Sequence, residues 1–96
     1  MRAKRVDSNQ KKIVAELRWH GWAVALMHRA GEGFPDLVVS RSGWGTYLVE
    51  VKVPGKKPNA RQELFYQKWL EDGGEDIHVI TSALEFLMVV GFQIKS

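Results

Sequence analysis

The sequence predicts a small α/β domain with elements in the order α-β-β-β-α-β-α, a mixed four-stranded sheet flanked by helices. Three observations predict it. Segments with apolar residues at helical spacing open on capping residues and stop at glycine. Four short runs have the length and residue types of strands. The third strand, second helix and fourth strand form a crossover, which is right-handed and sets those two strands parallel.

The first helix is expected over residues 8–20, with Ile13, Val14 and Leu17 on one face and Gly21 as its stop. Asp7 and Gln10 have the spacing of a capping box. Residues 22–28 alternate, Trp22, Val24 and Leu26 against Ala23, Ala25 and Met27, and read as a strand. RAGEGFP is a loop punctuated by glycine and proline. Strands two and three are expected over 37–39 and 47–53, joined at RSGWG, whose glycines suit a hairpin turn. After the loop PGKKP, Asn59 caps the second helix with Gln62 three residues on. Leu64, Phe65 and Trp69 form its apolar stripe, and Asp72-Gly73-Gly74 ends it. Residues 77–81 give the fourth strand. Ser82 and Glu85 then form a capping box for a last helix that stops at Gly91. Trp19, Trp22 and Trp69 are assigned to the core or its edge.

With 96 residues and no repeat or linker, residues 1–96 are expected to form a single domain. Such a chain buries somewhat over ~60% of its unfolded surface, enough for one modest core. The absence of cysteine excludes disulfides and thiolate metal sites, and suits a reducing cytoplasm. No apolar run approaches the ~18 residues of a membrane helix, and MRAKRVDSNQ lacks the apolar stretch of a secretory signal. A cytoplasmic protein without a membrane partner is therefore expected. Lys and Arg number 14 against 11 Asp and Glu, with a pI near 9.4. That bias suits a phosphate-rich partner, and equally a merely basic soluble domain.

The acids in the strands need a reason. With the hairpin centred on Gly43, cross-strand partners have numbers summing to 86, and Asp36 falls opposite Glu50. Side chains so paired share one face of the sheet, with Cβ atoms about 4.5–5.5 Å apart. Lys52, two residues past Glu50, points to that face, while Val49, Val51 and Val53 point to the other and serve the core. Two opposed carboxylates repel unless one is protonated or a positive group lies between them. Lys52 partly meets that need. A divalent cation meets it better, since Mg²⁺ takes oxygen ligands from one or two carboxylates, phosphate and water. Placed at a phosphodiester, the ion activates water and polarises the phosphoryl oxygen. The Lys52 ammonium then stabilises developing charge or orients the attacking water.

Pro35-Asp36, thirteen intervening residues and Glu50-Val51-Lys52 match the pattern of the PD-(D/E)XK nuclease superfamily. Over nearly its whole length the chain resembles the small, stand-alone, phage-type form of the VRR-Nuc branch. The resemblance rests on VDSNQKKIVAELRWHG, on residues 28–33, on Gly33-Phe34-Pro35-Asp36, on the basic Pro/Gly loop and on Gln62. It implies a restriction-endonuclease-like core, Mg²⁺ or Mn²⁺ as cofactor and hydrolysis of DNA phosphodiesters. It further implies homodimers acting on branched DNA such as four-way (Holliday) junctions. By the same resemblance Asp36, Glu50 and the Val51 backbone carbonyl hold the metal, Lys52 is the catalytic lysine, and Gln62 supports the site or the DNA. Many relatives add an acid from the first helix. Here Asp7 or Gln10 stands nearest that place, and Glu16 is assigned to solvent.

Lys56, Lys57 and Arg61 flank the second helix and can neutralise phosphates. Lys4, Arg5, Lys11 and Lys12 carry a weaker form of that argument. His28 can contact a phosphate or water, or simply sit at a loop edge. Trp44, at the hairpin tip, can stack on a base, enter a dimer interface or pack on a neighbouring loop. The expected function is a metal-dependent, structure-selective DNA endonuclease. A nickase or exonuclease shares its chemistry. A non-catalytic DNA-binding module of the same fold, or a subunit-interaction protein using the tryptophans, would differ in needing no metal.

Overall fold

The computed structural model describes residues 8–31 and 33–94. Its elements are α1 (Ser8–Trp19), β1 (Ala23–Leu26), β2 (Leu37–Arg41), β3 (Gly45–Val51), α2 (Ala60–Glu71), β4 (His78–Ile80) and α3 (Ala83–Val89). The four strands form one sheet in the order β1-β2-β3-β4. The first two pairings are antiparallel and β3 runs parallel to β4, as the crossover through α2 requires. The register is the expected one: Leu37 faces Val49 and Ser40 faces Thr46, each pair summing to 86.

Alternation along β2 and β3 divides the sheet into two unlike faces. One face presents Leu37, Val39, Val49 and Val51, joined by Ile80 of β4. Ile13, Val14 and Leu17 of α1, Trp22, and Ala83, Phe86 and Leu87 of α3 complete this core. Trp22, only 2% exposed, meets Phe86 edge-on with ring centroids 5.2 Å apart. The chain enters that position through a tight helix end. Gly21, at φ +88°, lets its own N–H reach the Arg18 carbonyl and the Trp22 N–H reach that of Leu17, so the chain turns from the end of α1 straight into the buried Trp22. The Asp72-Gly73-Gly74 and Gly91 stops close α2 and α3 with the same pair of bonds.

Several expectations need correction. Trp19 is 86% exposed, because it lies on the side of α1 away from Leu17. Val53 is exposed because β3 ends at Val51, and neither neighbouring strand extends to cover it. Leu64, assigned to an apolar stripe, is 68% exposed; the buried residue of α2 is Gln62. Phe65 and Trp69 are half-buried and stack on one another instead of entering the core. Ser82 accepts from the Glu85 N–H, but the Glu85 carboxylate takes the N–H of Thr81, one residue before the cap. The Asp7–Gln10 capping box involves a residue outside the described ones, as do Lys4 and Arg5.

Candidate active site

The other face of the sheet is polar at one end, and α2 lies over it. Asp36 immediately precedes β2 and Glu50 is the penultimate residue of β3, so the observed register sets them opposite each other. Both are buried, at 6% and 2% exposure. The pairing explains how the backbone accepts this. Asp36 sends its carbonyl to the Met27 N–H of the strand-one side, 2.7 Å away, while its carboxylate Oδ2 takes the Val51 N–H at 3.0 Å. The residue opposite Val51 in register is Pro35, which has no N–H to give the Val51 carbonyl. Proline at this position thus leaves a backbone oxygen beside the two carboxylates.

Lys52 is clamped from both sides. Its N–H donates to the Ile80 carbonyl at 2.9 Å, and its carbonyl accepts from the Asn9 side chain of α1 at 3.2 Å. The ammonium lies 3.2 Å from Glu50 Oε2 and donates to Gln62 Oε1 at 2.9 Å. Gln62 is the hub of the arrangement. Its Nε2 donates to Glu50 Oε2 at 2.6 Å, and its Oε1 also accepts from the Asn59 N–H at 2.9 Å. The Asn59 side chain in turn accepts from the Gln62 N–H. The capping box read from sequence is therefore present, and the same amide that closes it holds the acid and the lysine of the site.

The loop leading to Asp36 is pinned onto α2. At Gly33 the backbone has φ +80°, and a Cβ there would lie 2.8 Å from the Arg61 carbonyl oxygen, so only glycine fits without displacement. Phe34 packs edge-on against Phe65 beside it. These contacts bring the Pro35-Asp36 step under the first turn of α2.

A cleft of about 370 Å³ opens here, lined by Gln10, Asp36, Glu50, Val51, Lys52, Val53, Lys56, Lys57, Asn59 and Gln62. The structure thus gathers Asp36, Glu50, Val51, Lys52, Gln62, Lys56, Lys57 and Gln10 in one place. Of the two first-helix candidates, Gln10 is there, buried at the cleft wall, and Asp7 lies outside the described residues. Arg61, His28 and Trp44 do not line the cleft. Arg61 is exposed on the first turn of α2, and His28 is half-buried in the loop after β1. Trp44 sits at the far end of the hairpin, packed against Trp22 and Phe92.

The donor set suits a hard cation. Among the described residues no group of three or more His, Cys, Asp or Glu gathers as a closed metal cage. Two carboxylates, a backbone carbonyl and room for water match the open, partly hydrated coordination of Mg²⁺.

Two residues of this region escaped the sequence. Asn9 carries no signal beyond its type. Tyr66 follows Gln62 by one helical turn on α2, a spacing that marked it, but a tyrosine in an amphipathic helix reads as packing. Burial, then the charges of Glu50, Asp36 and Glu63, push its phenol well above the ordinary tyrosine range, so it stays protonated. In comparisons with known proteins, no family model matches the chain and no curated protein shows significant similarity to it.

Proposed function

We propose that the protein is a metal-dependent DNA endonuclease of the restriction-endonuclease-like kind, acting as a homodimer on branched DNA such as four-way junctions. One observation carries this reading: two buried carboxylates face each other across a hairpin, with a lysine held 3.2 Å from one of them, in a single polar cleft. Burial of opposed acids is costly unless a cation uses them. The resemblance in the Pro35-Asp36 and Glu50-Val51-Lys52 segments supports the same assignment.

On this reading Asp36, Glu50 and the Val51 carbonyl hold Mg²⁺ or Mn²⁺, which when bound lowers the pKa of a water and polarises the phosphoryl oxygen. Gln62 fixes the Lys52 ammonium by accepting from it, so a fixed positive charge faces the scissile phosphate without reorganising during reaction. Lys56 and Lys57, exposed on the cleft rim, neutralise neighbouring phosphates and make binding salt-dependent. One compact domain offers one such cleft. Paired cuts in two symmetric strands need two clefts related by a two-fold axis, which a C₂ dimer provides.

The Glu50–Lys52 ion pair also suits a second reading, a non-catalytic DNA-binding module in which the lysine takes the cation's place. The two separate in one experiment. Labelled duplex, single-stranded and four-way-junction DNA are incubated with Mg²⁺, Mn²⁺ or EDTA, beside Asp36→Ala. The expected result is metal-dependent cutting, paired and symmetric in the junction, lost in EDTA and in the variant while DNA binding persists. Undiminished cutting by Asp36→Ala overturns the assignment, and salt-sensitive binding without any cutting favours the module.

A further inference from the structure

We infer that Tyr66 is a positioning residue of the site, whose hydroxyl holds the Glu50 carboxylate, directly or through one buried water, when a divalent cation is bound. The inference rests on the metal-site reading above and deepens it.

The hydroxyl oxygen of Tyr66 is shielded from solvent and has no hydrogen-bond partner among the described residues. Leaving a buried hydroxyl unsatisfied is unfavourable, and a phenylalanine would fill the same space without that cost. The described residues therefore leave this hydroxyl to a partner that they do not themselves supply. Geometry says where that partner lies. Gln62 and Tyr66 are four residues apart on α2, so their side chains leave the same face of the helix, and Gln62 donates to Glu50 Oε2. Tyr66 is thus the next group along the face of α2 that meets this acid. Burial, and after it the negative potential of Glu50 and Asp36, keeps the phenol a donor, and that potential is consistent with the placement.

The chemistry of the site gives the donor a task. Glu50 Oε2 already receives the Gln62 amide and the Lys52 ammonium. A carboxylate that must also turn an oxygen to a cation gains from a further donor that fixes its plane, since hydrogen bonds to ligating carboxylates orient them and tune affinity. Tyr66 also borders a second groove, of mixed polarity, whose lining includes Glu63, Asp76, His78 and Val79.

The test compares the wild type, Tyr66→Phe and Asp36→Ala in three measurements: thermal unfolding without metal, Mn²⁺ binding by calorimetry, and cleavage rate against Mn²⁺ concentration. Tyr66→Phe is expected to unfold at the same or a higher temperature than the wild type. Its Mn²⁺ dissociation constant and half-saturation for cleavage should rise 3- to 10-fold, with the rate at saturating Mn²⁺ within about two-fold. A merely structural tyrosine would instead lower the unfolding temperature and leave Mn²⁺ affinity unchanged, which overturns the inference. Wild-type-like behaviour of Tyr66→Phe in all three measurements overturns it too, and leaves the metal site standing. A wild type that binds no Mn²⁺, indistinguishable from Asp36→Ala, removes the metal-site reading and this inference with it.

Discussion

Two neighbouring residues of β3 sit in opposite worlds. Val49 is fully buried against Leu37, Trp22 and the two helices of the apolar face, while Glu50 is buried just as deeply against an amide, an ammonium and a second acid. Equal burial therefore has opposite energetics. On the first face, removing apolar area from water stabilises the fold by about 25 cal/mol per Å². On the second, taking carboxylates out of water costs free energy that hydrogen bonds and Lys52 only partly return. The difference between the faces suggests which residues serve the fold and which the chemistry, and substitutions can test it.

The largest effect on stability is expected at Phe86. Its ring is fully buried and meets Trp22, Tyr47 and His78 edge-on. Phe86→Ala removes this contact hub and leaves a cavity, at about 3–5 kcal/mol. For a domain of this size each kcal/mol lowers the unfolding temperature by about 4–8 °C, so circular dichroism should show the variant unfolded or nearly so at 37 °C. A loss below about 1 kcal/mol would mean that the apolar face does not hold the fold together.

Gly33→Ala comes next and tests the joint between the polar face and α2. The added Cβ meets the Arg61 carbonyl and must also adopt a positive φ, strain of about 1–3 kcal/mol. Because Gly33 lies three residues before Asp36, the strain should show in the site as well. Amide exchange of Val51, whose N–H is held by Asp36, should speed up more than that of Val49. Equal acceleration at both would place the effect in the whole fold, not in the loop that carries Asp36.

How much of this was legible follows the same division. The hairpin register was legible because Gly43 fixes the turn and period-two alternation fixes the faces; a single number, 86, then placed Asp36 against Glu50. Gln62 was legible as a cap, since Asn59 three residues earlier supplies the partner. Its second task was legible only through the resemblance, because nothing local says that a capping amide also reaches Glu50. Leu64 was misread for a related reason. At about 100° per residue it lies some 200° around α2 from Gln62, and apolarity does not mark the inward face of a helix that turns glutamine and tyrosine inward. Trp19 fails the same angular test against Leu17. Val53 was misread because alternation says where side chains point, and not where neighbouring strands stop. Of the segments that carry the resemblance, Asp36, Glu50-Val51-Lys52, the basic loop and Gln62 line the cleft, with Gln10 from the first helix, while residues 28–33 do not.

The smallest expected stability change, and the most informative, is at Glu50. Glu50→Gln keeps shape and volume but removes the buried charge. Gln62 loses a charge-assisted bond, and Lys52 loses its ion partner. Breaking a buried pair can cost 3–5 kcal/mol when the remaining charge is stranded. Lys52 is not stranded: its side chain is 18% exposed, and its ammonium keeps the Gln62 Oε1 acceptor at 2.9 Å. The desolvation of the carboxylate disappears at the same time, so the two changes offset each other to within about 1 kcal/mol. Thermal unfolding of Glu50→Gln should therefore match the wild type closely, while Mn²⁺ binding by calorimetry is lost. A destabilisation comparable to that of Phe86→Ala would show that the ion pair is part of what folds the chain, and Glu50 would belong with Val49 after all.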